Sequence, residues 1–372
     1  MARVKSIQAF RKEPPDVEAE IIAAVESAGP RNVAEISRLT GAHPETVRYK
    51  IKRRFGRLGF RFHAEVDFAK LGLSLNVGTL NFTKPYYDSA TRVLRTLNET
   101  GFLTFFAKVV PQGQFIAEFT LPKGTSDQYE DLLTRLRDRG VLSSFSLDEV
   151  VASKHKTLDA RFFNFSSGRW EVEWDKVEAL APTPLVPEKE RTAVDFDHQD
   201  LLIIKELQID ARQHLTGIAR KLRLHQKALE YHYRTHVQGR RLIPSYRIRW
   251  AQDITKKLVH SVATTRMTFR NLTRLEYNQV QSAVSKIPFL WAESVLQDGA
   301  YVATMYVPLS DILQVSNYIN DSISDLSSKM EMGFIRAADS TSFTIPYNMF
   351  HKGKWRFSTD EIETSLRRTC RI

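Results

Sequence analysis

The sequence predicts an α+β protein in which one plan is written twice: three short helices and a strand, then elements in the order β-α-β-β-α-β. Three observations predict it. First, segments recur in the same order. HPETVRYKIK (43–52) matches HQKALEYHYR (225–234) at an offset of 182, and FSSGRWEVEWD (165–175) matches FHKGKWRFSTD (350–360) at an offset of 185. GFLTFFAKVVPQGQFIAEFTLP (101–122) parallels PFLWAESVLQDGAYVATMYVP (288–308). Second, the apolar spacing of each copy passes from a helical period to strand alternation at the same point. Third, ALAPTPLVPEKERTAVD (179–195), with three prolines and little periodicity, reads as the join.

In the first copy Val17, Ile21, Ile22 and Val25 mark one amphipathic helix, Val33, Ile36 and Leu39 a second, and Val47, Ile51, Phe55 and Leu58 a third. GFRFHAEVDF (59–68) then alternates like a strand. Strand 73–82, helix 86–99, strands 102–110 and 114–121, helix 125–139 and strand 141–152 follow. The second copy has helices near 198–208, 215–222 and 225–238 and a wing-like LIPSYRIRW (242–250). Strand 258–269, helix 273–286, strands 289–296 and 300–307, helix 310–325 and strand 328–337 complete it. Three helices with a strand wing is the winged helix-turn-helix plan, and β-α-β-β-α-β is the ferredoxin-like one. The expected domains are therefore a winged helix-turn-helix at 16–68, a ferredoxin-like domain with a C-terminal hairpin at 72–178, and the linker 179–195. A second winged helix-turn-helix at 196–251 and a second ferredoxin-like domain with a C-terminal extension at 257–372 follow. The repeated Gly-cation-Trp elements around Trp170 and Trp355 read as hairpins whose indoles either pack on a neighbouring sheet or stack on a nucleic-acid base, and the sequence does not separate the two.

Composition narrows the partner. A formal charge of +11 and a pI near 9.6 point toward a polyanion. No apolar run reaches the 18 or so residues of a membrane span, and MARVKSIQAFRKEPP lacks an apolar leader core, so a cytoplasmic, nucleoid-associated protein with no membrane partner is expected. A single cysteine, Cys370, excludes a disulfide framework and a cysteine-rich metal site. His232 and His236 stand four apart, but no carboxylate lies at fitting spacing, so no metal is expected.

The tight turn LTGAHPE carries Gly41 for a positive φ and Pro44 for the first position of the next helix, which is helix-turn-helix spacing. Val47 and Ile51 supply the stripe that packs behind. Glu45, Thr46, Arg48, Tyr49 and Lys52 then face outward: Arg48 suits guanine, Thr46 a thymine methyl, and Arg53, Arg54, Arg57 and Arg61 suit phosphates. In the second copy Arg223 stands in place of Gly41, the proline is missing and Glu230 replaces Arg48. There His225, Lys227, Tyr231, Arg234, Arg240 and Arg241 are the candidates, mainly for phosphate contact.

DFDHQDLLIIKELQIDARQHLTGIARKLRLHQKALEYHYRTHVQGRRLI (195–243) resembles the helix-turn-helix of Lrp/AsnC (feast/famine) transcription regulators, and AEISRLTGAHPETVRYKIKRRFGRLGF (34–60) is similar to the same unit. The β-α-β-β-α-β segments look like the family's effector and oligomerisation domain, so two copies cover most of the chain. The resemblance implies a transcription regulator of double-stranded DNA, pairing through the ferredoxin-like domains and association of whole chains. It also implies a small-molecule effector near the turn between their second and third strands. Here those turns hold Gln112 and Gly113 in one copy and Asp298 and Gly299 in the other. With two copies in one chain, the expected pairing is an intramolecular pseudo-dimer.

The rival on the same architecture is an enzyme like the siroheme decarboxylases, which also look like paired Lrp/AsnC units and place histidines in the ferredoxin-like domain. The corresponding strands here, FFAKVVPQGQFIAEFTL and AESVLQDGAYVATMYV, contain no histidine. Ser/His/Asp sets, Gly-rich phosphate loops and paired-carboxylate motifs do not stand out elsewhere. The sequence therefore predicts no enzyme, no catalytic residues and no cofactor. A third reading is a scaffold for the transcription machinery.

Overall fold

In the computed structural model of the chain, residues 17–157, 159–185, 192–250 and 262–370 are described. Residue 16 of the first expected domain, 186–191 of the linker, the 251–261 connection with the start of its expected strand, and 371–372 lie outside them.

Helices α1 (Val17–Ala28), α2 (Val33–Thr40) and α3 (Pro44–Tyr49) open the chain. The Asn32 side chain caps α2, Gly41 ends it at φ +68°, and His43 caps α3 by accepting the Glu45 N–H through Nδ1 at 3.3 Å. The third helix departs from a regular α-helix. Residues Lys50–Arg54 form a wider π turn before Phe55–Arg57 resumes the α form. Val47, Ile51 and Phe55 along it are all buried. The second copy repeats the pattern. After α7 (His198–Ile209) and α8 (Leu215–Leu222), α9 (Gln226–Tyr231) runs into a π segment, His232–Gln238, that keeps Leu229, Tyr233 and Val237 buried.

The expected pair of separate wings is corrected. Strand β1 (Phe60–Ala64) and strand β8 (Tyr246–Trp250) pair with each other, antiparallel, with Phe60 opposite Trp250 and Phe62 opposite Ile248. Among the described residues each copy holds one strand there, and each finds its edge partner in the other copy.

The α+β chain is dominated by a large antiparallel sheet. The first half contributes β2 (Leu73–Phe82), β3 (Leu103–Val110), β4 (Phe115–Pro122) and β5 (Leu142–His155), with α4 (Ala90–Thr100) and α5 (Ser126–Asp138) between them. After the hairpin β6 (Phe163–Asn164) and β7 (Arg169–Trp170), α6 (Trp174–Glu178) leads to the linker. The second half contributes β9 (Val262–Phe269), β10 (Leu290–Leu296), β11 (Tyr301–Pro308) and β12 (Met330–Ser342), with α10 (Arg274–Val284) and α11 (Ile312–Ile323). Hairpin β13 (Phe350–His351) and β14 (Lys354–Trp355) and helix α12 (Thr359–Cys370) end the chain.

The eight long strands close into a barrel in the order β10-β11-β9-β12-β3-β4-β2-β5. Each half supplies four contiguous strands, and both seams join the halves: Ser294 lies opposite Ser153 on β10 and β5, and Phe334 opposite Val110 on β12 and β3. Closure leaves no exposed edge on these strands. The cores cross over. Ile21, Val25, Val47 and Phe55 of the first helical unit share one apolar cluster with Met267, Phe269 and Tyr301 of the second half's sheet. Leu201, Ile204, Leu229 and Val237 share the other with Phe106, Phe119 and Leu132 of the first half. Trp170 is buried against Phe163, Trp250 and Phe289 at ring distances of 5.1, 5.5 and 5.3 Å, and Trp355 donates its indole N–H to the Leu71 carbonyl at 2.6 Å. Among the described residues no helix is long and apolar enough to cross a membrane.

Candidate functional site

On the first helical unit, Glu45, Thr46, Tyr49, Lys52, Arg53 and Arg57 are exposed while Val47, Ile51 and Phe55 anchor the helix from behind. Three other expected contact residues have partners within the chain. Arg48 pairs with Glu45 one turn earlier. Arg54 reaches Glu18 at 3.4 Å and the Phe165 carbonyl, and Arg61 donates to the carbonyls of Gly56 and Phe60 at 3.1 and 3.2 Å. The Arg48–Glu45 pair is solvent-facing, worth about 0–1 kcal/mol, so a bidentate base contact of about 1–3 kcal/mol outweighs it.

The second unit is less open. Arg223 adopts φ +56° where the first copy has Gly41, His225 is spent on capping Lys227 at 3.3 Å, and the Arg240 guanidinium bonds the Asp195 carbonyl. Lys227, Tyr231, Arg234 and Arg241 are exposed. The reading that His232 and His236 lack further ligands is corrected by the fold: Asp197 and Asp200, at the start of α7, meet both imidazoles. Sequence spacing could not show this, because the carboxylates come from a helix packed alongside.

A polar cluster lies where the β1–β8 ribbon meets the barrel, and sequence reading missed it. Arg247 of β8 forms an ion pair with Glu65 at 3.1 Å, and His155, the last residue of β5, sits 3.5 Å from the same carboxylate. Trp291 of β10 lies 5.2 Å below the Arg247 guanidinium and 5.7 Å from the His155 ring. On β1, His63 Nδ1 lies 2.7 Å from the Gln208 carbonyl. Burial pulls both His155 and His63 down to about 4, from 6.5. Burial alone would raise Glu65; the Arg247 guanidinium, with His155 and His63, outweighs it and the carboxyl sits below its usual range. The cluster's histidines lie outside FFAKVVPQGQFIAEFTL and AESVLQDGAYVATMYV, the strands around the two expected effector turns.

These histidines give a pH prediction. The native state takes their protons only near 4, while the unfolded chain takes them near 6.5. Between those values the unfolded state binds more protons, so stability falls as pH is lowered from about 6.5 to 4. Thermal denaturation should show this loss, and His155→Gln should reduce it. An unchanged pH profile in that variant would show that His155 does not contribute.

At the turns expected to hold an effector, Gln112 donates to the Met332 carbonyl at 3.3 Å and Tyr87 donates to the Gly113 carbonyl at 3.2 Å. Asp298 pairs with Arg270 and caps the Ala300 N–H at 2.9 Å, and Gly113 and Gly299 take φ +77° and +83°. The side chains at both turns are thus committed to the turns themselves and to neighbouring strands. A larger cavity, of about 360 Å³, opens between α1, the segment after β5 and the end of α10, with Lys156, Arg161 and Lys286 on its wall.

No protein-family model matches this sequence, and no curated protein matches it. Among solved structures, the siroheme decarboxylase NirDL aligns over 95% of this chain and 100% of its own, with a TM-score of 0.54 and 10% identity. The same enzyme in complex with an iron-uroporphyrin III analogue gives a TM-score of 0.53 and 11% identity over 95% of this chain and 99% of its own. The leucine response regulatory protein LrpA of Mycobacterium tuberculosis aligns over 37% of this chain and 91% of its own, at 17% identity and a TM-score of 0.25. The likeness to NirDL is one of fold, from end to end. It corrects the expectation that the chain is not an enzyme: a catalyst is built on this architecture, and helix-turn-helix spacing does not exclude one.

Proposed function

We propose that the chain is a DNA-binding transcriptional regulator, read as two winged helix-turn-helix units alternating with two ferredoxin-like units and acting as an Lrp/AsnC-like pseudo-dimer in the cytoplasm at the nucleoid. The observation that carries this is the outer face of the first recognition helix, where Thr46, Tyr49, Lys52, Arg53 and Arg57 stand exposed on a helix anchored by Val47, Ile51 and Phe55. The first unit reads bases and the second grips phosphates, since Glu230 there accepts from Gln226 at 2.9 Å and replaces the base-reading arginine. The domain boundaries at 16–68, 72–178, 196–251 and 257–372 belong to this reading. So do a small-molecule effector at the Gln112–Gly113 and Asp298–Gly299 turns and association of whole chains.

A gel-shift or anisotropy titration of the full chain with duplex DNA tests it. Six to ten phosphate contacts would weaken binding by roughly 10³–10⁵ between about 50 and 200 mM salt. Absence of duplex binding at low salt, or a flat salt response, rejects the reading.

The Glu65–Arg247–His155 cluster favours a second reading, an enzyme that decarboxylates a tetrapyrrole as NirDL does siroheme. The half-buried His155 imidazole beside a carboxylate–guanidinium pair suits general acid–base work: it would take up a proton as imidazolium and pass it to the carbanion left when carbon dioxide departs. Release of carbon dioxide on anaerobic incubation with siroheme, abolished in His155→Ala, would place this reading first.

A further inference from the structure

The second recognition helix carries two histidines, and the helix packed against it begins with two aspartates. His232 Nδ1 lies 2.9 Å from Asp200 Oδ1 and 3.6 Å from Asp197 Oδ2, and His236 Nδ1 lies 2.9 Å from Asp200 Oδ2. One donor atom from each of the four residues falls within 4.8 Å of the others. In a tetrahedral site with ligand bonds of about 2.1 Å, neighbouring ligand atoms stand about 3.4 Å apart, a value these separations bracket.

We propose that Asp197, Asp200, His232 and His236 bind one divalent transition-metal ion of the zinc class, clamping the second recognition helix to the start of α7. Two imidazoles with two carboxylates form a nitrogen–oxygen set suited to zinc or cobalt. The charge balance supports it. Asp200 is fully buried, and the groups at ion-pair distance from it among the described residues are the two histidines, themselves only 15% and 16% exposed. A divalent ion here supplies positive charge beside the buried carboxylate and takes both Nδ1 lone pairs.

The surroundings already hold the carboxylates in place. Asp200 Oδ2 accepts the Asp197 backbone N–H at 2.9 Å, and Asp197 Oδ1 accepts the N–H groups of Gln199 and Asp200 at 2.8 and 3.1 Å. This reciprocal cap fixes one oxygen of Asp197 and leaves Oδ2 on the histidine side. The Tyr231 ring covers the imidazoles at 5.9 and 5.5 Å. A clamp here would hold α9 against α7 whatever the chain binds, so the inference stands apart from the DNA-binding reading.

The test uses the full chain, stripped with a chelator and titrated with cobalt(II) in the absence of DNA. The expected result is one equivalent bound, with the intense visible absorption of four-coordinate cobalt, displaced by equimolar zinc. Long-range proton–nitrogen spectra with zinc should show two imidazoles coordinated through Nδ1. Asp200→Asn and His236→Gln should each abolish the cobalt absorption. If Asp200→Asn fails to fold, His236→Gln with an unchanged circular dichroism spectrum and the wild-type imidazole spectra decide the matter. Wild-type protein without cobalt absorption or imidazole shifts overturns the site, as does full absorption retained in His236→Gln.

Discussion

Expressed separately, residues 17–185 and 192–370 should each fail to give a cooperative unfolding transition, and mixing them should restore a 1:1 complex with one. Cutting the chain between the halves removes no strand, but it separates every partner that closes the barrel. The β10–β5 and β12–β3 seams both run between halves, and so does the β1–β8 ribbon. More important, the halves pack across one another: α1 lies against β8, α7 against β1, and α12 against α4 and α5. A lone first half would leave α1 without β8, β1 without α7, and α4 without α12. Each would present an apolar patch far beyond the few hundred Å² that soluble monomers tolerate, together with unpaired strand edges. Sedimentation and thermal melts of the separate and mixed halves decide it. Two independently stable halves with no mutual affinity would sink the crossed-core account.

Much of this architecture was legible in the sequence. The strand and helix order of each half followed from the apolar spacing of its segments and from the glycines of the turns at Gly113 and Gly299. Pairing between halves was foreseeable from the duplication. The single shared ribbon was not, although each copy held one strand where a wing needs two.

The sites divide differently. Residues on one helix could be placed from spacing alone, so Thr46, Tyr49 and Lys52 are exposed as expected, while Arg48 of the same outward set is half-buried and paired with Glu45. Groups assembled from distant segments could not. Glu65, His155, Arg247 and Trp291 come from four elements, and the aspartates beside His232 and His236 stand 32 or more residues earlier in the chain. For Arg54 and Arg61, charge alone suggested phosphate, while position gave them carbonyl and carboxylate partners inside the protein.

Under the DNA-binding reading, replacing Lys52, Arg53 and Arg57 together by alanine should weaken duplex binding by roughly 10²–10³ at about 0.1 M salt, uniformly across DNA sequences. The magnitude follows from counterion release. Each phosphate contact contributes about 0.9 to the slope of log affinity against log salt, so losing three reduces it by about 2.7, and the mutant and wild-type curves should converge near 1 M. All three side chains are exposed, so the fold should survive the change. Arg48→Ala should behave in the opposite sense: a small change in salt slope, but a loss of about 1–3 kcal/mol confined to one base position. Glu45→Ala should then tighten binding slightly, because it frees Arg48 from an exposed pair worth at most about 1 kcal/mol. The two classes of variant separate grip from reading. If the triple variant keeps both its affinity and its slope, the duplex does not lie against this helix, and the basic face must serve another anion.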